Sequence, residues 1–267
     1  MEATIMLAVF LFIMLSLSIL LYDKYSFVFL SIKKSAALRQ PLTWLTVVII
    51  GILAVAAATF ALRHAEENTY STFIILLLLV SWAANIFYLL PLSRLPARLS
   101  FSLLGATGIV LVALWFPSQH YFNIVTAGSI LWVGPILFRR IKLSLRIFIL
   151  LAIAFTAYDA VNIWVLPELT FESDPSPLLN GLVGFDGQIL GVGDFLLGYL
   201  LVGAGRHFFS RSIAWLCAVW IPLPLLFIQW LSAVESHVIY PYTVFVVPVV
   251  LIIFVIAKRR SAAKQVL

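Results

Sequence analysis

The chain has 267 residues, 63% of them hydrophobic and 10% charged, with a formal net charge of +6. These proportions exclude a soluble domain and place the chain among membrane proteins. Its basic excess therefore falls to loops between spans, where it meets lipid headgroups rather than nucleic acid. The lone cysteine, Cys217, excludes an intrachain disulfide and reads as apolar filler in a helix.

An α-helix needs about 20 apolar residues to cross the hydrocarbon core. In chain order, runs of this kind predict an all-α bundle of about nine spans. They lie at Ile5–Tyr22, Leu42–Leu62, Phe73–Leu92, Phe101–Phe116, Tyr121–Phe138, Ile147–Leu166, Gly187–Ala204, Ile213–Leu231 and Tyr240–Ala257. The first is preceded by Glu2 rather than a basic region, and no small-x-small site ends it. It reads as a retained helix, not a cleaved signal peptide. Spans and short loops use up nearly the whole chain, so 1–267 reads as a single transmembrane domain. Spans one to five (5–138) form a scaffold, and spans six to nine (147–257) carry the chemistry.

Charge sets the expected orientation. One side of this arrangement receives Lys24, Lys33, Lys34, Arg39, Arg94, Arg98, Arg139, Arg206, Lys258 and most other bases. The other receives Arg63 together with Glu2, Glu66, Glu67, Glu168, Glu172, Asp174, Asp186 and Glu235. The positive-inside rule puts the N-terminus outside and the C-terminus in the cytoplasm, which an odd number of spans satisfies.

Two aspartates interrupt this apolar pattern, Asp159 in the sixth span and Asp194 in the seventh. A carboxylate at membrane depth costs about 2.5–3.5 kcal/mol on insertion scales and is retained for function. The two spans are consecutive and antiparallel, and each aspartate is about 10 Å below the outer face at 1.5 Å rise per residue. Packing of the spans would bring the carboxylates to one depth. Gly191 and Gly193 permit close helix approach and open the backbone beside Asp194. Two carboxylates in one low-dielectric site cannot both ionise easily, so one keeps a proton while the other acts as base. The base takes a proton from water as the water attacks a peptide carbonyl. The protonated partner donates to the oxygen that develops charge. Neither metal nor other cofactor is required.

With Tyr158-Asp159-Ala160-Val161 in the sixth span and Leu190-Gly191-Val192-Gly193-Asp194-Phe195 in the seventh, the chain resembles the presenilin and signal peptide peptidase family of intramembrane aspartyl proteases. That family has nine spans and carries Tyr-Asp and Gly-x-Gly-Asp at these places. The resemblance implies Asp159 and Asp194 as the catalytic pair, with Tyr158, Gly191 and Gly193 shaping the site. The family's third motif, Pro-Ala-Leu at the start of span nine, has its counterpart in Pro241-Tyr242-Thr243, and Pro248 follows at the spacing of the signal peptide peptidase branch. Pro222-Leu223-Pro224 is a rival that falls inside span eight. The inferred orientation matches signal peptide peptidase. It implies transmembrane peptide or protein substrates whose N-termini are cytoplasmic, met within the lipid bilayer.

The Pro167–Phe185 connection is polar and turn-rich. It reads either as a solvated linker or as a lid in which Leu169-Thr170-Phe171 forms a short strand that pairs with extended substrate. Asn85 and Asn162 read as helix–helix polar contacts, with Asn162 also within reach of Asp159. His64, His120, His207 and His237 lack metal-ligand spacing and sit at span ends. No His-Glu-x-x-His or Gly-x-Ser-x-Gly motif is present. Three alternatives stay open: a prepilin-type peptidase, a proton- or cation-coupled transporter, and an inactive relative.

Overall fold

The computed structural model describes residues 2–24, 67–90, 95–115, 118–164, 182–185, 188–234 and 241–266. The expected second span Leu42–Leu62, the Leu169-Thr170-Phe171 stretch with most of its connection, His64, His237 and the side chain of Asn162 lie outside these residues. Helix α1 covers Glu2–Tyr22, α2 Glu67–Leu89, α3 Leu95–Trp115 and α4 Gln119–Ser129. After α4 a single turn, Val133–Pro135, runs into a π-helical turn, Ile136–Arg140. Helix α5 covers Leu145–Trp164, followed by strands β1 (Leu182–Phe185) and β2 (Gln188–Gly191). The chain then forms α6 (Val192–Phe208), α7 (Arg211–Trp220), α8 (Leu223–Val234) and α9 (Tyr242–Val266).

Helix α1 shows why such runs become helices in lipid. Leu7, Leu11, Leu15 and Ile19 recur at every fourth position and are buried, whereas Ile5, Val9, Ile13, Leu17 and Leu20 on other faces are exposed. The outward face is as apolar as the inward one, as a bilayer rather than water requires. Among the described residues, Glu2–Tyr22, Arg211–Ile228 and Tyr242–Arg260 are long and apolar enough to cross a membrane. The chain is an integral membrane protein.

Helix α6 is the axis of the bundle. Phe195, Leu197, Tyr199, Leu201, Val202 and Ala204 are all buried, so it is enclosed on nearly every side. It touches α1, α5, α7 and α9. The Tyr199 hydroxyl donates to the Ala127 carbonyl at 3.0 Å, which ties α6 to α4. A Cβ on Gly205 would come within 3.2 Å of the Ala214 backbone, so only glycine lets α6 and α7 meet this closely. At the far end of α6, Arg206 pairs with Asp23 at 2.6 Å, and Arg139 donates to the Tyr22 carbonyl at 2.9 Å. The C-terminal ends of α1 and α6 and the turn at Arg139 thus share one end of the bundle.

The structure corrects the sequence reading at four places. The expected all-α fold contains an antiparallel hairpin, Leu182 opposite Gly191 through Phe185 opposite Gln188. The seventh span therefore starts as helix at Val192 rather than Gly187. The fifth span is interrupted after Ser129, and Asn85 donates to the carbonyls of Gly128 and Ser129 at 3.0 and 2.7 Å, partnering the freed backbone. The eighth span breaks at Ile221-Pro222, where Pro222 and Pro224 supply no N–H. The fourth span begins six residues early, at Leu95. This brings Arg98 out of the expected loop and into the first turn of α3, buried, with its Nε donating to the Phe87 carbonyl and its guanidinium 4.7 Å from the Phe87 ring.

Candidate active site

Three elements converge on the two aspartates. Asp159 lies in the last third of α5, one turn after Phe155 and on the same face. Asp194 lies in the first turn of α6, at the third helical position. The contact between these helices is set by glycine: a Cβ on Gly193 would sit 3.0 Å from the tip of the Phe155 ring. With Gly193 beside Asp194 and Phe155 one turn from Asp159, that contact draws the two carboxylates together. They are near enough for the charge of Asp159 to act on Asp194.

Each carboxylate is held by a helix start. The first N–H groups of a helix have no intrahelical partner. Gly191, in extended conformation at the N-cap of α6, donates its N–H to Asp194 Oδ2 at 3.1 Å. This is one half of a capping box, since glycine has no side chain to return the bond. The hairpin determines the geometry, because β2 ends on Gly191 and delivers its N–H to that carboxylate. Asp159 is held from α9, where the fully buried Thr243 donates its hydroxyl to Asp159 Oδ2 at 2.5 Å. The Thr243 backbone amide bonds the same carboxylate.

The Pro241-Tyr242-Thr243 stretch lies at the start of α9, all three residues buried. Tyr242 donates its hydroxyl to the Ile221 carbonyl at 2.5 Å, at the break between α7 and α8. The two stretches compared in sequence as rivals, Pro241–Thr243 and Pro222–Pro224, are thus joined, and only the first reaches an aspartate. Among the site residues expected from sequence, Asp159, Asp194, Gly191, Gly193 and Thr243 come together. Pro241 and Tyr242 are buried just before Thr243 at the same helix start. Tyr158, next to Asp159 on the helix, is 40% exposed and faces the surface of the bundle. Phe155 was not foreseen; it stands out only as a large ring one turn from Asp159.

Chemically the site offers two half-buried carboxylates, backbone and hydroxyl donors on their outer oxygens, and apolar walls. Among the described residues, no group of His, Cys, Asp and Glu is arranged to hold a metal ion.

No protein-family model matches the sequence, and no curated protein matches it. By structure the chain is similar to a solved presenilin family intramembrane aspartate protease, with a TM-score of 0.66. The similarity covers 95% of this chain and 99% of that chain, at 16% identity. At this identity the likeness is one of fold, and it is the fold that the Tyr-Asp and Gly-x-Gly-Asp motifs implied.

Proposed function

We propose that this chain is an intramembrane aspartyl endopeptidase that hydrolyses peptide bonds in transmembrane segments, with Asp159 and Asp194 as a general acid/base pair. The observation that carries this reading is that two carboxylates from consecutive apolar helices come within electrostatic reach of one another, each with its own donor. Carboxylates are expensive in this environment, and a structural purpose would be served by one capping group rather than two facing acids.

The chemistry follows from one proton shared by the pair. The ionised carboxylate removes a proton from water, and the water oxygen bonds to the substrate carbonyl carbon. The protonated carboxyl donates to the carbonyl oxygen, giving a neutral gem-diol. Collapse of that diol breaks the C–N bond as the amine takes up a proton, leaving an acid and an amine as products. The exposed Tyr158 beside Asp159 marks the face from which a substrate helix would approach, and the Gly191–Gly193 backbone lines the entry to Asp194.

The charge distribution supports nine spans with the N-terminus outside and the C-terminus cytoplasmic. In this orientation the aspartates lie toward the outer side, unlike those of a prepilin-type peptidase, and substrates with cytoplasmic N-termini would present the opposite polarity to α6. The chain in lipid, incubated with labelled single-span peptides, should cleave them, and Asp159→Asn and Asp194→Asn should each abolish cleavage. Equal cleavage by either variant would remove the aspartate pair as the catalyst.

A further inference from the structure

We infer that Thr243 is a positioning residue for Asp159, and that Pro241-Tyr242-Thr243 is built to deliver its hydroxyl in one fixed place. The inference rests on the endopeptidase reading of the site and adds to it the group that orients one of the two acids.

Three observations carry it. First, the Thr243 side chain is fully buried, and its hydroxyl donates to Asp159 Oδ2. A buried hydroxyl without a partner is costly, and a threonine at a helix start in an apolar interior needs such an acceptor. Second, the donor itself is fixed. Thr243 has two branches at Cβ and few rotamers, and its backbone is pinned next door by Tyr242, whose hydroxyl holds the Ile221 carbonyl. That carbonyl sits before the first of two prolines, and Leu225 turns its N–H to Pro222 instead, which leaves Ile221 to Tyr242. Third, the alignment joins separate parts of the chain. The break between α7 and α8 sets the register of α9, α9 sets the hydroxyl, and the hydroxyl sets the plane of a carboxylate on α5.

Occupying Oδ2 fixes the rotation of the Asp159 carboxyl group and therefore the direction of its other oxygen. Asp194 is held in the same way by the Gly191 N–H, so both acids are aligned before substrate arrives. Alignment of this kind acts on the chemical step and not on binding of a distant substrate segment. An apolar residue at 243 would fill the space and leave the carboxyl group held by the backbone amide of residue 243 alone, with more freedom to turn.

The test compares Thr243→Val, which keeps the shape and removes the hydroxyl, with Thr243→Ser, which keeps the hydroxyl. Cleavage of a labelled single-span peptide is measured in lipid, with folding checked by thermal unfolding. T243V should lower kcat about 10- to 100-fold, the kinetic equivalent of one hydrogen bond to a charged group, with KM unchanged. T243S should recover most of that loss. Equal kcat for T243V and the native chain, or equal loss in T243S and T243V, would overturn the inference and leave the endopeptidase reading standing. Should T243V not fold, Thr243→Ala carries the same comparison. If the native chain cleaves nothing, the endopeptidase reading fails and the positioning role fails with it. A thermal double-mutant cycle of T243V with Asp159→Leu then reads the contact independently of activity, because additive effects mean no bond and coupled effects mean a structural one.

Discussion

Gly193→Ala isolates the contact that brings the two aspartates together. The added methyl would sit 3.0 Å from the tip of the Phe155 ring, whereas carbon atoms rest at about 3.5–4.0 Å. The ring, or the helix carrying it, must give by a few tenths of an ångström. Two effects on stability oppose one another. Overpacking a close contact costs about 1–3 kcal/mol, while replacing a helical glycine by alanine returns about 0.5–1 kcal/mol. The net change is small, on the order of 0–2 kcal/mol.

Activity has no such compensation. Phe155 and Asp159 share one face of α5, so a shift of that helix carries the carboxylate away from Asp194. A misplacement of about 1 Å costs on the order of a hundredfold, so one of a few tenths costs about three- to tenfold. G193A should therefore lose about three- to tenfold in kcat with a thermal unfolding temperature within a few degrees of the native chain. Adding Phe155→Leu removes the ring tip and should restore most of the turnover. Full activity in G193A would refute the idea that this contact sets the distance between the acids. A loss that F155L leaves untouched would place the fault elsewhere, in the backbone freedom of Gly193.

Other expectations follow from individual contacts. Tyr242→Phe leaves the buried Ile221 carbonyl without its donor and should destabilise the protein by about 1–3 kcal/mol in thermal or denaturant unfolding. Asn85→Leu takes the side-chain donor from the Ser129 carbonyl and one of the donors from Gly128, and should destabilise the protein by about 1–3 kcal/mol in thermal or denaturant unfolding. Gly205→Val drives a side chain against the Ala214 backbone, which cannot rotate away, and should lower the yield of folded protein more than any change at Gly193.

Much of the fold was legible because a bilayer makes hydrophobic length nearly equivalent to helix. The first, sixth and ninth spans begin within a few residues of their expected starts, whereas the third, like the fourth, begins six residues early. The aspartates were legible for the same reason, as charge where charge is expensive. What escaped was hidden by that uniform hydrophobicity. The fifth and eighth spans look continuous by composition, yet Pro135, Pro222 and Pro224 lack the N–H groups that continuity needs. The hairpin carried a signal too. Asp186-Gly187 lies between Phe185 and Gln188, and an Asp-Gly pair between apolar stretches marks a two-residue turn. Its apolar second strand reads in sequence as part of the span that follows. Arg98 escapes for the opposite reason: in sequence a charge reads as a loop, and here a carbonyl and an aromatic ring accommodate it inside the bundle. The role of Thr243 was open to sequence only as a place, since nothing in Pro-Tyr-Thr tells which acid the hydroxyl meets.

Both acids also finish irregular backbone in an apolar interior, and this duty can be separated from chemistry. Asp194 accepts from the N–H at the start of α6, a group that lipid cannot satisfy. Asparagine keeps an oxygen that can accept this bond, and alanine does not. Both substitutions remove the carboxyl group, so both abolish turnover and both relieve the burial of charge. Their difference in stability therefore isolates the cap. Asp194→Ala should be less stable than Asp194→Asn by about 0.5–2 kcal/mol, the range for losing a side-chain acceptor at a helix start. Equal unfolding temperatures for the two would mean that the Gly191 N–H finds another partner and that the hairpin does not depend on Asp194. A clear difference, with cleavage absent from both, would show one carboxylate serving the backbone and the reaction at once. The site would then lie at the start of α6 because an apolar bundle needs an acceptor there, and the second acid would be what turns that acceptor into a catalyst.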